Sequence, residues 1–140
     1  MDEAKFNEFV TAQDRCYDQV REELSAGRKT THWMWFVFPQ ISGLGSSAMA
    51  VKFAIHSLDE AKRYLQHPLL GHRLRECTRL VLTVHDKSID SILGSPDKAK
   101  FRSCMTLFAA AAPDVPMFRT ALDKYFGGTQ DPKTLEILGE

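Results

Sequence analysis

The sequence predicts an all-α fold, a single compact domain of seven or eight short helices. Apolar residues recur at helical spacing along most of the chain, and caps, prolines and glycines divide these stretches at short intervals. One segment alone has strand propensity, and no second convincing strand is available to pair with it. The 140 residues, 44% of them apolar and 26% charged, suit one globular domain with its own core. No repeat, linker or low-complexity tract divides them.

Spacing and end signals place the helices of the first half. Apolar residues follow a helical period over residues 2–26, and Gly27 is placed to end this helix. A serine at the end of a Gly/Ser loop is available as the cap of a short helix over residues 48–55. A capping box that begins at Ser57 opens a helix to about residue 66.

The second half continues in the same manner. Pro68 lies at a helix start, and an apolar stripe predicts a helix over residues 69–84. Ser95 supplies a cap and Pro96 a first-turn proline for a later helix. The predicted helices after residue 84 each have a cap or a stop residue. They span residues 88–93, 96–111, 116–126 and 132–138.

The aromatic run at residues 33–38 is ambiguous between a strand and a buried helix. Because nothing is available to pair with a strand here, we predict a buried helical turn or short helix. Pro39 ends it, since a residue that precedes proline avoids the helical region.

Composition excludes several classes of function. Lys and Arg total 18, as do Asp and Glu, so the formal net charge is zero and nucleic-acid binding is not expected. The three cysteines are scattered and form no CxxC pair, which argues against a disulfide framework or a zinc site. No metal or cofactor is implied. No HExxH, GxSxG or phosphate-loop motif occurs.

Location is predicted from what the chain lacks. The N-terminal stretch is acidic and amphipathic, so no signal peptide is visible. The longest apolar stretch is too short to span a bilayer, and no membrane association is expected. A cytoplasmic location follows, and the sequence identifies no protein partner.

The aromatic run and the loop after it are the candidate functional region. Aromatic faces can stack on a planar ligand, and glycine lets a phosphate approach backbone amides. Lys98 and Arg102 share a predicted helix face that can bind an anion. We therefore predict a site for a small phosphorylated ligand in one cleft, with His32 as acid–base residue if a reaction occurs. The predicted binding residues are Arg28, Lys29, Trp33, Trp35, Gln40, Gly45, Ser46, Ser47, Lys98 and Arg102.

Each of these residues also has a purely structural interpretation. A dense aromatic segment buries a large area and is more often core, and a lone glycine loop is more often a turn. A non-catalytic protein-interaction or regulatory module is the alternative function, and it predicts an exposed apolar patch.

Several long motifs resemble a bacterial family of unknown function, DUF1810. They are HWMWFVFPQ, SGLGSS, FAIHSLDEAKRYLQHPLLGHRL, SPDKAKFRSCMTLF and DPKTLEILG, and the resemblance runs over residues 6–139. It implies an all-helical fold and no established activity. Members sometimes carry the label calpastatin, but calpastatin is a disordered, polar inhibitor, whereas this chain is rich in core residues.

A fainter resemblance suggests a second alternative. AMAVKFAIHSLDEAKRYL is similar to a stretch of the NADAR family, whose members cleave N-glycosidic bonds of ribose-phosphate compounds such as ADP-ribose. Only Lys52 and Phe53 match, and Ser46 and Ser47 stand where that family has a glutamate–histidine pair. The resemblance therefore implies an N-glycosidase-like hydrolase without its characteristic acid–base pair.

Overall fold

The computed structural model describes residues 2–139 and confirms an all-α domain around one continuous core. Ten helices and no strand occur in that span, and seven helices have at least seven residues. The predicted count of seven or eight is therefore too low. The helices are α1 (Asp2–Asp14), α2 (Tyr17–Ala26), α3 (Met34–Val37), α4 (Ala48–Lys52), α5 (Leu58–Gln66), α6 (Leu70–Leu82), α7 (Ile89–Leu93), α8 (Asp97–Ala111), α9 (Met117–Phe126) and α10 (Pro132–Leu138).

The first predicted helix is two helices, because the chain turns at Cys16. Cys16 has φ −143° and its N–H bonds back to the Gln13 carbonyl at 3.0 Å. The buried Gln13 side chain donates Nε2 to the Phe36 carbonyl at 2.7 Å. Apolar spacing continues across the turn, so the pattern alone predicted one helix. The turn lets α1 contact α3 while α2 packs against α6.

A buried carboxylate organises the start of the aromatic run. Glu23 is 4% exposed and accepts hydrogen bonds from Thr30 N at 2.7 Å, Thr31 N at 3.0 Å and Trp33 Nε1 at 3.0 Å. Burial by itself raises the pKa of Glu23, but hydrogen bonds from Thr31, Thr30 and Gln19 outweigh it and lower the pKa to about 2. The run then forms the short buried helix α3, as predicted.

The segment after α3 is held by a single parallel bridge between Ile41 and Ile55. Ile55 N donates to the Gln40 carbonyl at 2.8 Å, and Ser42 N donates to the Ile55 carbonyl at 2.7 Å. Helix α4 consequently ends at Lys52 instead of the predicted residue 55. The bridge anchors the start of the Gly/Ser loop at Ile41 and the chain after α4 at Ile55, while Gly45, Ser46 and Ser47 between them are exposed.

An ion pair between α1 and α5 closes this side of the domain. Lys5 Nζ lies 2.5 Å from Glu60 Oε1 and donates to the Ala54 carbonyl at 2.6 Å. Glu60 also accepts the His56 N–H at 3.0 Å, and its own N–H bonds to Ser57 Oγ at 3.0 Å. The predicted cap at Ser57 is therefore present, and the same turn locks α1 in place.

Helix α8 is the central element, with nine of its residues buried. It packs against α5, α7, α9 and α10. Pro96 occupies its N-cap position, and no side chain caps it, so the predicted Ser95 cap is wrong. The Gly94 carbonyl instead accepts the Lys98 N–H at 2.8 Å. At the far end of the chain, Asp131 caps α10 by accepting the Thr134 N–H, as predicted.

Among residues 2–139, none of the helices combines the length and the hydropathy that a membrane-spanning helix requires. The same residues contain no group of three or more His, Cys, Asp or Glu side chains placed to hold a metal ion.

Candidate functional site

An open cleft of about 440 Å³ lies where the Gly/Ser loop faces the N-terminal half of α8; we call it the α8 cleft. Separate parts of the chain form its walls. The polar and charged lining residues are Gln40, Ser46, Ser47, Lys100, Ser103, Asp131 and Lys133, and the others are Leu44, Gly45, Ala50, Pro96 and Ala99.

A narrow hollow of about 30 Å³ adjoins the α8 cleft and shares Gln40, Gly45, Ala50 and Lys100 with it. The half-buried Trp35 lines this hollow. Lys100 Nζ lies 5.3 Å from the centre of the Trp35 ring, within range of a cation–π contact. An aromatic face therefore lies beside the polar cleft.

The loop wall of the cleft is shaped by local backbone requirements. Ser47 caps α4, and its Oγ accepts the Ala50 N–H at 3.2 Å. A Cβ at Gly45 would lie 2.7 Å from the Ala50 Cβ, so glycine is needed for the loop to pack on α4. The exposed Ser46 hydroxyl has no such structural task.

The single carboxylate among the described lining residues is already engaged. Asp131 Oδ2 accepts Ser103 Oγ at 3.2 Å, Thr134 N at 3.0 Å and Thr134 Oγ1 at 2.5 Å. Lys100 Nζ lies 3.8 Å from Asp97 Oδ1, while the exposed Lys133 has no ion pair among the described residues. Lys133 is therefore free to meet an anion in the cleft.

Two of the predicted binding residues have structural roles near the cleft. Trp33 is 1% exposed, with its indole N–H on Glu23, so it offers no face to a ligand. Lys29 has a 7% exposed side chain whose Nζ lies 2.9 Å from Asp97 Oδ2 and 4.9 Å from the Trp33 ring centre. Together they join the aromatic run to the start of α8.

Lys98 and Arg102 share a helix face, as predicted, but neither lines the α8 cleft. Lys98 Nζ lies 3.4 Å from Asp90 Oδ1 on α7. Arg102 donates Nε to the Thr129 carbonyl at 3.0 Å and Nη2 to the Gln130 carbonyl at 2.7 Å. Lys100 instead lies on the side of α8 that faces the cleft.

Arg28 and His32 also lie outside the α8 cleft. Arg28 is exposed just after α2, and its N–H bonds to the Glu23 carbonyl at 2.9 Å. His32 is exposed and borders a different groove, between α1, α3 and α4. The structure thus brings together Trp35, Gln40, Gly45, Ser46 and Ser47, and separates the other predicted residues from them.

We call this second depression the α1 groove; its volume is about 550 Å³. Its lining residues are Ala4, Asn7, Glu8, Thr11, Ala12, Arg15, Cys16, His32, Phe36, Met49, Lys52 and Phe53. Lys52 and Phe53, which carry the resemblance to the NADAR family, therefore line the same groove as His32. Burial and the nearby Glu23 charge raise the pKa of the Cys16 thiol, which keeps it protonated at neutral pH and a poor nucleophile.

Lys100, Ser103 and Lys133 were not predicted from the sequence. Lys100 is two positions from Lys98, so a helix of 3.6 residues per turn points these side chains about 200° apart. The spacing shows that they differ in direction, but it does not show which one faces a cleft. Lys133 follows a cap and a proline, and its sequence context resembles any exposed first turn.

The fold and the site define a small all-α domain with a polar, cationic cleft beside an aromatic face. Residues 3–138 match the model of a protein family of unknown function, DUF1810, and the chain belongs to that family. The chain is also similar to a solved structure, the conserved hypothetical protein Rv1873 from Mycobacterium tuberculosis. The two share 54% sequence identity over 96% of each chain, with a TM-score of 0.94. No protein of curated function matches the chain.

Proposed function

We propose that the α8 cleft binds a small phosphorylated compound, with nucleotides as the leading candidates. The proposal rests on the convergence of residues from separate parts of the chain on this one cleft. Gln40, the loop residues 45–47, Lys100 on α8 and Lys133 on α10 are far apart in sequence and line one open cleft. Pockets that hold small molecules typically have this concave form with a few polar groups placed around them.

The charges of the lining residues favour an anion. Two lysines and one aspartate give the described lining a formal charge of +1 (two minus one). The hydrogen bonds from Ser103 and Thr134 already occupy Asp131, and Lys133 has no ion pair among the described residues. Lys100, whose Nζ lies 3.8 Å from Asp97 Oδ1, is the second ammonium group that lines the cleft. Ser46 Oγ and the Gln40 amide add neutral hydrogen-bond donors suited to phosphate oxygens.

Trp35 favours a ligand that also has a planar ring. Stacking of a base on an aromatic side chain contributes about 1–3 kcal/mol. The hollow beside Trp35 is too narrow to hold a ring as it stands, so a base would lie at its mouth or displace the Lys100 side chain. A nucleoside phosphate combines the ring and the anion in one molecule.

The proposal is for binding and does not include hydrolysis. No imidazole is among the described residues of the α8 cleft, and His32 borders the α1 groove. Asp131 Oδ2 already accepts three hydrogen bonds, from Ser103 and Thr134, and is held as a structural acceptor. An N-glycosidase would need a positioned acid or base beside the bond that it cleaves.

Surface composition favours a small ligand over a protein partner. Val51 and Ile137 are the large apolar side chains that are most exposed in the described span, at 58% and 45%. Two such residues expose much less apolar area than the several hundred Å² of a contiguous interaction patch.

The test compares two lysines on the same helix. The melting temperature of the wild-type protein is measured with inorganic phosphate, AMP, ADP and ADP-ribose, and calorimetric titration follows for any compound that raises it. We expect at least one to bind, and Lys100→Ala or Lys133→Ala to weaken that binding about tenfold, the scale for one charge-assisted hydrogen bond. Lys98→Ala is the matched control, because Lys98 pairs with Asp90 outside the cleft.

Tryptophan fluorescence gives a second measurement of ligand binding. A base bound beside Trp35 should quench tryptophan emission, and Trp35→Phe should remove the quenching, because Trp33 is sealed in the core. If none of the four compounds binds at millimolar concentration, or if Lys98→Ala and Lys100→Ala weaken binding equally, the proposal is wrong.

A further inference from the structure

The α1 groove has an apolar floor that the α8 cleft lacks. Phe36 and Phe53 form this floor with their ring centres 5.4 Å apart, and Ala12 and Met49 complete it. Both rings belong to the core cluster and are only 7% and 4% exposed, so the half-buried Ala12 and Met49 supply the rest of the apolar area that a ligand could cover. Such a surface favours a flat or short apolar body, since covering it removes apolar area from water.

The rim of the groove carries cations with few partners. Arg15 is exposed and has no ion pair within residues 2–139. Lys52 Nζ lies 3.9 Å from Glu8 Oε2, and both side chains are 55% exposed, so this pair is weak. Arg15, Lys52 and Glu8 give the rim a formal charge of +1 (two minus one).

We propose that the α1 groove is a second binding site, for a small carboxylic acid with an apolar body and a single negative charge. The apolar body would cover the Phe36 and Phe53 floor, and the carboxylate would meet Arg15 and Lys52 at the rim. The guanidinium group suits a carboxylate because its parallel N–H groups bind both oxygens. A ligand with a single negative charge balances the formal charge of +1 on the rim. A phosphate dianion with no apolar part would leave the apolar floor uncovered. This site shares no lining residue with the α8 cleft and is independent of the function proposed there.

The test uses 2-naphthoate as probe and 2-naphthamide as its neutral counterpart. Backbone amide signals of the full chain are followed by NMR during titration with each compound. We expect saturable 2-naphthoate binding with a Kd on the order of 0.1–1 mM, the scale for a ligand of this size. The affected signals should come from residues 4–16, 32–36 and 49–53, and 2-naphthamide should bind about tenfold more weakly.

Variants separate the charge from the shape of the groove. Arg15→Gln and Lys52→Gln should each weaken 2-naphthoate binding severalfold and leave 2-naphthamide unaffected. Thr11→Trp, on the exposed face of α1 that borders the groove, should block both compounds while the helical circular dichroism stays unchanged. Lys62→Gln is the control for removal of a cation elsewhere on the surface.

Lys100→Ala should leave 2-naphthoate binding intact, so that failure here and failure of the α8 cleft proposal can be told apart. Equal affinity for the acid and the amide would overturn the assignment of a carboxylate ligand. Signals that shift outside the groove, or no saturation at millimolar 2-naphthoate, would overturn the site itself.

Discussion

At the scale of single residues, Glu23 explains why the aromatic run has its observed position. Its carboxylate accepts hydrogen bonds from residues 30, 31 and 33 on one side and from Gln19 Nε2 at 2.9 Å on the other. A buried carboxylate is tolerated only when such donors replace water. Replacing it therefore leaves several donors without an acceptor and should loosen the connection between α2 and α3.

We expect Glu23→Gln to destabilise the protein by about 2 kcal/mol at neutral pH, the scale for a buried charge-assisted hydrogen bond. The exposed neighbour Glu22→Gln is the matched control and should change stability little. Unfolding in urea, followed by tryptophan fluorescence, measures both variants.

The pH dependence of Glu23 has a definite sign. Its pKa is lowered from 4.5 to about 2 on folding, so its contribution to stability is complete above pH 4.5 and is lost as pH falls to about 2. The difference in unfolding free energy between wild type and Glu23→Gln should therefore shrink across that interval. A difference that stays constant from neutral pH to pH 3 would contradict the lowered pKa.

At the scale of helices, the close contact of α5 with α6 depends on Gly71. A Cβ at this position would lie 2.1 Å from the Leu65 carbonyl oxygen and 2.9 Å from its carbon. Those atoms belong to the backbone near the end of α5, so they cannot move aside as a side chain can. The glycine in the HPLLGHRL segment is thus required by the approach of one helix to another.

We expect Gly71→Ala to destabilise the protein by about 2–3 kcal/mol, even though alanine favours a helix by about 1 kcal/mol. Gly127→Ala is the control, because a Cβ there meets nothing within 4 Å and only the φ of +60° opposes it. That variant should cost about 1–2 kcal/mol. Thermal and urea unfolding measure the stability of both variants. A Gly71→Ala protein as stable as wild type would show that the close approach of α5 and α6 does not require glycine.

At the scale of the whole molecule, several polar contacts with α8 hold the segment that leads into the C-terminal helix. Arg102 binds the carbonyls of residues 129 and 130, and Thr106 Oγ1 accepts the Asp131 N–H at 2.9 Å. Within α10, Thr134 is the one fully buried residue. The wall of the α8 cleft that contains Lys133 therefore depends on Arg102, although Arg102 does not line the cleft.

Arg102→Ala should loosen α10 without unfolding the core. We expect hydrogen exchange of the amides in residues 132–138 to become about tenfold faster, since a local opening needs only the lost contacts to be broken. Amides of α6 and the centre of α8 should keep their protection, and Lys98→Ala should match wild type throughout. Uniform acceleration over the whole chain would mean that Arg102 supports global stability instead.

Part of the candidate site was predicted from the sequence. Residues that local interactions position were predicted, and residues that distant elements position were not. Gln40 and residues 45–47 were expected to line a cleft because the loop composition is local information, and they do line one. Trp33 and Trp35 have the same sequence context, yet one is sealed against Glu23 and the other borders the hollow. Which indole is covered depends on a carboxylate ten residues earlier and on α8, and neither contributes to the local pattern.

Local sequence signals were enough to predict the helical class of the domain, the short buried helix in the aromatic run and the caps at Ser57 and Asp131. These features arise from interactions within about four residues, which periodicity and cap chemistry report directly. Contacts between distant elements set the turn at Cys16, the choice of Lys100 over Lys98 for the cleft, and the placement of His32 in a separate groove. Each of these depends on which distant element covers a given helix face, and one sequence does not specify that contact locally.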